Sequence, residues 1–401
     1  MGTLAACGGG FGPAPVGRPL PPYVGPRPSA TAPQPGSAPG TGAIKVAVLL
    51  PLSGPNADLG KAMLEAAQLA LFTTGNDRLT LIPRDTTGTA GGAASAAQAV
   101  IADGAKLILG PLIADEVVAV RPIAQAANVN VIAFATKTEV AGGNVFLMGF
   151  LPRQEVAREV SFAHDQGMSK FAALAPNTPY GHLMGDSLKE ITTSEGGAVT
   201  RVEYFDPRLP DITTSIKHLL PGAAAAQPGA AADAAPPAGG GAPFDALLLP
   251  EGGDRLKQIA DQLKAAGVDP TQTRLLGSGL WDDPSIVGDP ALAGGWFAAS
   301  PPEARHDFEG RYQAAYGHPP PRLASLAFDA AALAAVLSKS DGPDPFSAQA
   351  IQNPSGFTGV DGLFRFGPQG LVQRGLAVLE VDPGGDKVVS PAPQNFQNLA
   401  Y

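Results

Sequence analysis

Residues 106–138 read KLILGPLIADEVVAVRPIAQAANVNVIAFATKT, and the spacing of their apolar residues changes twice within that span. Residues 106–110 are a short apolar run closed by Gly110 and Pro111, too short for a helix and ended by turn formers, which predicts a buried strand. Over residues 116–127, Val117, Val120, Ile123, Ala124 and Ala127 fall three or four apart, giving one apolar helical face that should lie on a sheet. Residues 130–134 return as a second strand. A strand-helix-strand of this length closes as a right-handed parallel crossover, so both strands end on the same edge.

Ligands of open α/β sheets bind outside the carboxyl ends of the strands, where helix N-termini and loop amides point. The loops there are residues 110–115 and 135–138. The first offers backbone amides with Leu112 and Ala114; the second follows Ala135 with the hydroxyls of Thr136 and Thr138 and the ammonium of Lys137. Thr and Gly are also ordinary turn residues, so a purely connecting role stands beside the functional one.

The 401 residues can bury two ordinary cores, and a hydrophobic content of 44% fits a globular chain. A formal net charge of −9 and the lack of a basic stripe argue against a nucleic-acid partner, since neutralising phosphates needs clustered Lys and Arg. No apolar run is long enough to span a bilayer. Residues 4–8, LAACG, resemble the lipobox of bacterial lipoproteins, in which the Cys, here Cys7, is lipidated. Cys7 is the sole cysteine, which excludes an intrachain disulfide and a Cys-based zinc site. A signal peptide would have to precede Met1, so the natural chain is predicted to begin roughly 15 residues upstream.

Residues 1–43, rich in Pro, Gly, Ala and Ser, predict an unpaired tether between a lipid anchor and the folded part. Strands are expected at residues 44–50, 79–83 and 145–148, with helices at 59–72 (Asn56 or Asp58 as cap) and from Gly88 to 102. Ser53 lies in the loop after the first strand. Residues 150–152 read as a crossing into a second round of alternation: helix 155–166, strand 171–175, helix 180–194 opened by Tyr180, strand 198–205 and helix 211–219. Residues 221–243 are low-complexity Ala, Pro and Gly, predicted as a disordered insertion that cannot offset its ordering entropy. Strand 244–249 resumes and leads into Glu251. Helix 253–266, strand 274–276 ahead of Trp281 and Asp282, strand 296–299 and helices 303–316 and 323–338 complete the alternation. Residues 363–366 and 376–381 read as an antiparallel hairpin about the Gly367–Gly370 turn.

Hydrolase chemistry is missing from the pattern. LGSGL at 276–280 lacks the Gly-x-Ser-x-Gly elbow spacing, the five His never fall at metal-ligand spacing, and no Walker loop occurs. No catalytic residue, metal site or cofactor is expected. Asp282 and Asp283 could pair as acid and base or bind a cation, but Asp-Asp-Pro is also a turn signal. What remains is a binding protein with two α/β lobes, a cleft and a hinge.

The segments IKVAVLLPLSGP (44–55), DGAKLILG (103–110), PYG (179–181), LKAAG (263–267) and GLFRF (362–366), with Gly367 and Gly370, resemble in this order the type I periplasmic binding proteins of the leucine/isoleucine/valine-binding group. The resemblance implies two Rossmann-like lobes with an interlobe cleft and hinge crossovers, lobe 1 from 44–150 plus 276–341 and lobe 2 from 151–275 plus 342–395. It also implies an amino-acid site. Carried over position by position, the Ser after the third strand falls on Ala114, the small residue after the fourth is kept as Ala135, and the following Thr falls on Lys137 between Thr136 and Thr138. The second-lobe Tyr is kept as Tyr180. The acid for the ligand ammonium falls near Gly279, with Glu251 or Asp282 as substitutes. Ser53, Leu112 and Trp281 complete the expected set.

These departures, with Gly110-Pro-Leu112 and the lipobox, resemble the penicillin-binding protein activator lipoproteins, whose partner is a bifunctional penicillin-binding protein. The leading expectation is therefore a non-catalytic, lipid-anchored periplasmic protein acting as such an activator. The alternative is the substrate-binding subunit of an ABC importer for branched-chain or other amino acids, with a permease as partner.

Overall fold

The computed structural model describes residues 43–220, 242–340 and 344–397. The expected tether with Cys7, through residue 42, and residues 221–241 of the expected insertion lie outside them.

The first lobe is built on a five-stranded, all-parallel sheet. Its strands are β1 (Ile44–Leu50), β2 (Leu79–Asp85), β3 (Leu107–Leu109), β4 (Asn130–Ala133) and β5 (Val145–Leu147), in the order β2-β1-β3-β4-β5. The crossover over residues 106–138 is present as β3, helix α3 (Ala114–Ala126) and β4. Helix α2 (Ala90–Ala102) joins α3 on one face, where small Ala side chains let it approach the sheet closely. Helix α1 (Ala57–Thr74) covers the other face.

The second lobe repeats the plan. Strands β6 (Lys170–Pro176), β7 (Ala198–Phe205), β8 (Ala246–Leu248), β9 (Arg274–Leu276) and β10 (Trp296–Ala299) are parallel; β14 (Ala377–Glu380) and β15 (Lys387–Ser390) extend the sheet antiparallel, giving the order β15-β14-β10-β9-β8-β6-β7. Helices α4 (Pro152–Asp165) and α5 (Pro179–Ser194) pack on one face, α6 (Thr213–Leu219) and α7 (Gly253–Ala265) on the other. The expected two-lobed α/β class is what the chain adopts.

Two expectations are corrected. The return to lobe 1, expected at residue 276, comes only after Ala299, because Trp296 pairs with Leu276 and residues 296–299 pair with 377–380 in the second sheet. Helices α8 (Pro302–Tyr316) and α9 (Ala324–Leu337) then join lobe 1, as does the chain to about residue 376: Phe346, Ile351, Phe364, Phe366 and Val372 belong to the core of α1 and α9. The lobe 2 return placed at residue 342 thus falls at Ala377.

The expected hairpin is also re-paired. Strand β12 (Gly362–Phe366) lies between β11 (Phe357–Gly359) and β13 (Val372–Arg374), with Phe366 opposite Val372. Tight closure by Gly370 N–H on Gly367 O and Gly367 N–H on Leu371 O leaves no slack to bring residues 376–381 alongside.

Glycine decides how closely the helices reach the strand ends. A Cβ on Gly60, in the first turn of α1, would overlap the Pro51 carbonyl, and one on Gly181, in the first turn of α5, would overlap that of Pro176. In both lobes the helix after the first strand therefore starts hard against the carboxyl edge of its sheet.

Candidate functional site

Three crossings join the lobes, and their geometry defines the site. The chain leaves the carboxyl end of β5 and enters α4, leaves the carboxyl end of β10 and enters α8, and passes from β13 into β14, which runs antiparallel to β10. Each crossing thus joins the carboxyl edge of one sheet to the carboxyl edge of the other, the edges where parallel sheets present helix N-termini and loop amides.

The crossings are tied together by charge. Arg322, just before α9, places its Nη1 2.8 Å from Asp361 Oδ1, its Nε 3.2 Å from Asp282 Oδ2 and its guanidinium 4.2 Å from the Phe150 ring centroid. Arg305 of α8 pairs with the same Asp282. Buried Arg374 donates to Met148 O at 2.7 Å, and its guanidinium also lies over the Phe150 ring, 4.9 Å from its centroid. Burial disfavours the Asp361 charge, yet Arg322 and Arg374 hold its carboxyl below the usual range. Burial and that neighbouring charge push Asp329, which accepts the Val360 and Asp361 amides, upward.

Each sheet has a point where the winding reverses, between β1 and β3 in lobe 1 and between β6 and β8 in lobe 2, the topology at which open α/β sheets take their ligands. In lobe 1 the reversal is flanked by the loops carrying Ser53, Leu112 and Ala114. Asp85 Oδ1 accepts the N–H groups of Leu52 (2.8 Å), Ser53 (3.2 Å) and Thr87 (2.7 Å), fusing the loops after β1 and β2 into one rim. Burial alone would raise this carboxyl; the Ser53 hydroxyl and the three amides outweigh it and lower its pKa. Ser53 is therefore held by the scaffold. Ala114 begins α3, whose N-terminal amides stand at this edge, and Leu112 packs half-buried on the core. Behind them Glu116 is buried, accepting the Ile113 N–H at 3.3 Å; burial raises its pKa against the pull of Thr86 and that amide. Ala135 is buried and Thr136 exposed at the end of β4.

In lobe 2 the reversal is flanked by Tyr180 and Glu251. Thr178 caps α5 by accepting the Gly181 N–H at 3.2 Å, which sets Tyr180 at the edge. Burial, reinforced by the charges of Glu155, Glu159 and Glu251, raises the pKa of the phenol against the pull of the buried Ser278 hydroxyl. Glu251 is half-buried and likewise raised by burial, against the pull of Arg255 and the Gly252 amide. Ser278 Oγ accepts the Leu280 N–H at 3.3 Å, and Leu280 is 48% exposed beside Gly252.

Tyr180, Glu251, Ala114, Ala135 and Thr136 thus fall on the two carboxyl edges. Three other expected residues do not. Trp281 is fully buried beneath Gly277 and donates its indole N–H to Leu249 O at 3.2 Å, so it is core. Asp282, one residue on, has a side chain only 5% exposed and neutralises Arg305 and Arg322 at the hinge. Thr138 opens a 3₁₀ turn, Thr138–Val140, and lines a side groove of about 400 Å³ with Leu151, Gln154 and Gln369. Sequence reasoning missed Glu155, Ser278 and Arg322. Glu155 and Glu159, four apart on the buried face of α4, were the one legible signal, since paired acids on an apolar face are unusual.

Residues 43–386 match the family model described as periplasmic binding protein. The chain belongs to that family. Its two-lobed fold is of the type I, leucine-binding kind. A curated relative, an uncharacterized protein of Rickettsia prowazekii (strain Madrid E), is 21% identical over 176 residues, which is 44% of this chain and 47% of that protein. The matched region therefore spans about half of the relative's length. Among solved structures, a putative branched-chain amino acid ABC transporter protein of Rhodospirillum rubrum is similar with a TM-score of 0.73 at 20% identity, over 86% of this chain and 100% of that one. A leucine binding protein of Thermotoga maritima gives 0.59 at 21% identity, over 88% and 99%. An ABC transporter solute binding protein of R. palustris, in complex with benzoate, gives 0.60 at 19% identity, over 90% and 99%. These likenesses are likenesses of fold.

Proposed function

We propose that this chain is a non-catalytic periplasmic solute receptor, the substrate-binding subunit of an ABC importer, closing its two lobes over a small carboxylate-bearing ligand such as an amino acid. The observation that carries the reading is the meeting of two carboxyl edges at three crossings, with α3 amides on one side and Tyr180, Ser278 and Glu251 on the other. Helix N-terminal amides suit a carboxylate, and a hinged pair of lobes converts binding into a shape that a permease can read. The receptors of branched-chain amino acids and of benzoate among the similar structures support this class of ligand.

The penicillin-binding protein activator reading has less support. It rests on the missing hydroxyl at Ala114, the missing acid at Gly279, Gly110-Pro-Leu112 and the lipobox, and the missing acid loses force because the Glu155 carboxylate lies against Gly279. Lipid anchoring through Cys7 suits either role, and incorporation of labelled palmitate, abolished by Cys7→Ser, tests it. For the receptor role, small-angle scattering with and without a mixture of free amino acids is the test: a receptor becomes more compact on addition. An unchanged radius of gyration, together with stimulation of a bifunctional penicillin-binding protein, would favour the activator.

A further inference from the structure

The lobes also face each other across a second groove, of about 740 Å³, lined by none of the residues that stand on the two carboxyl edges. Lobe 1 supplies Arg305 and Glu309 of α8; lobe 2 supplies Asp282, Leu379 of β14 and Asp386 in the turn before β15. In the order of the second sheet, β14 and β15 lie beyond the crossing strand β10, on the side away from the reversal between β6 and β8. The groove wall that carries Asp386 is thus on the far side of the crossings from Tyr180 and Glu251.

Two opposite charges in this groove are unmet. Asp386 Oδ1 is buried and accepts no hydrogen bond from a described residue, and Arg305 Nε is buried and donates none. Arg305 is held through Nη1 by Asp282; its Nε has only Glu309 Oε1, one turn along its own helix, at 3.4 Å and outside hydrogen-bonding geometry. Burial raises the Asp386 carboxyl against the pull of Arg305, so the two groups sense each other without forming an ion pair. Buried charges short of a partner are unfavourable. A bridging water would meet both and leave the lobes as they stand. A rotation of the lobes about the crossings meets them directly, because Asp386 lies on one lobe and Arg305 on the other.

We propose that Arg305 and Asp386 form a second interlobe ion pair, which closes this groove as the ligand edges part and so locks the open arrangement of the lobes. The proposal rests on the hinged lobes of the receptor reading above and not on the identity of any solute. Asp282 keeps Arg305 at the hinge in either arrangement, and Glu309 competes with Asp386 for Nε.

The test measures the separation of the lobes with no solute added. Spin labels are placed on exposed Gln98 of α2 and Lys264 of α7 in the full chain, with Cys7→Ser removing the sole natural cysteine, and distances are read by double electron–electron resonance. Wild type should show two separations. Asp386→Asn keeps the shape but loses the charge, and should lower the share of the open arrangement, changing the ratio of the two roughly tenfold, as expected for one charge-assisted hydrogen bond. Glu309→Gln removes the competitor and should raise that share. Shifts of opposite sign in the two variants support the lock. A distribution that either variant leaves as in wild type, as a bridging water predicts, or shifts of the same sign, overturn it. Neither result depends on solute binding, so loss of the lock leaves the receptor reading standing, and a chain that binds no solute sinks that reading alone.

Discussion

Asp282 of the second lobe lies 3.2 Å from the Arg322 guanidinium of the first and also pairs with Arg305, so one carboxylate neutralises two cations across the hinge. Its side chain is 5% exposed, and removing one member of such a group leaves uncompensated buried charge. Asp282→Asn should destabilise the protein by about 3–5 kcal/mol in urea unfolding. The neighbouring Asp283, which only accepts the Ser285 N–H in a local turn at 2.8 Å, should tolerate Asn with a loss below about 1 kcal/mol. Similar losses at the two positions would contradict the hinge role.

Glu159 gives a pH signature. It is buried on α4, Oε1 accepts the Ala298 N–H at 2.9 Å, and Oε2 has no partner among the described residues. Burial, aided by the charge of Glu155, lifts its pKa well above the usual 4.5, so in the folded state it keeps a proton that the unfolded chain has released. For an acid raised in this way, stability is greatest below the unfolded pKa and falls as pH climbs towards the folded one. Each unit of raising corresponds to about 1.4 kcal/mol. Glu159→Gln cannot ionise and should therefore be more stable than wild type at pH 7, with the difference vanishing near pH 4. Urea midpoints across that range measure it; a variant equally destabilised at both ends would show that the side chain acts by packing alone.

Gly181 and Gly310 should respond in opposite directions to alanine. A Cβ at Gly181 meets the Pro176 carbonyl, which cannot give way without moving β6, so Gly181→Ala should cost about 1–3 kcal/mol. Gly310, within α8, has nothing within 4 Å of a new Cβ, and Gly310→Ala should gain about 0.5–1 kcal/mol by restricting the unfolded chain. Thermal melts of the pair test whether helix approach, rather than glycine content as such, sets the geometry of the lobe edge.

Much of this fold was legible because period and punctuation coincide. The strands at 198–205, 274–276 and 296–299 fall on the expected residues, each bounded by Gly, Asp, Thr or Ser. The lobe boundaries were not legible. Trp296–Ala299 is apolar on every residue and would suit either sheet, and only its pairing with Leu276 and with residues 377–380 decides. The C-terminal hairpin misled for a related reason: Val372–Arg374 is three residues long with a Gln and an Arg in it, so the stronger apolar run at 377–380 looked like the partner of β12.

The positions of the expected residues were only partly legible. Tyr180 and the loops at 112–114 and 135–136 could be placed because they follow strands directly. Trp281 and Asp282 could not, since a 3₁₀ turn, Gly279–Trp281, rotates successive side chains into the core and then the hinge. Glu155 was missed because it acts on Gly279 across 124 residues, a pairing that no local spacing encodes.

A receptor role requires that the carboxyl edges hold a solute. Titration calorimetry of the folded chain with leucine, isoleucine and valine addresses this most directly. We expect micromolar dissociation constants for at least one of them, and a loss of tenfold or more in Tyr180→Ala at unchanged fold. No heat from any of the three, or binding that Tyr180→Ala leaves intact, would contradict it.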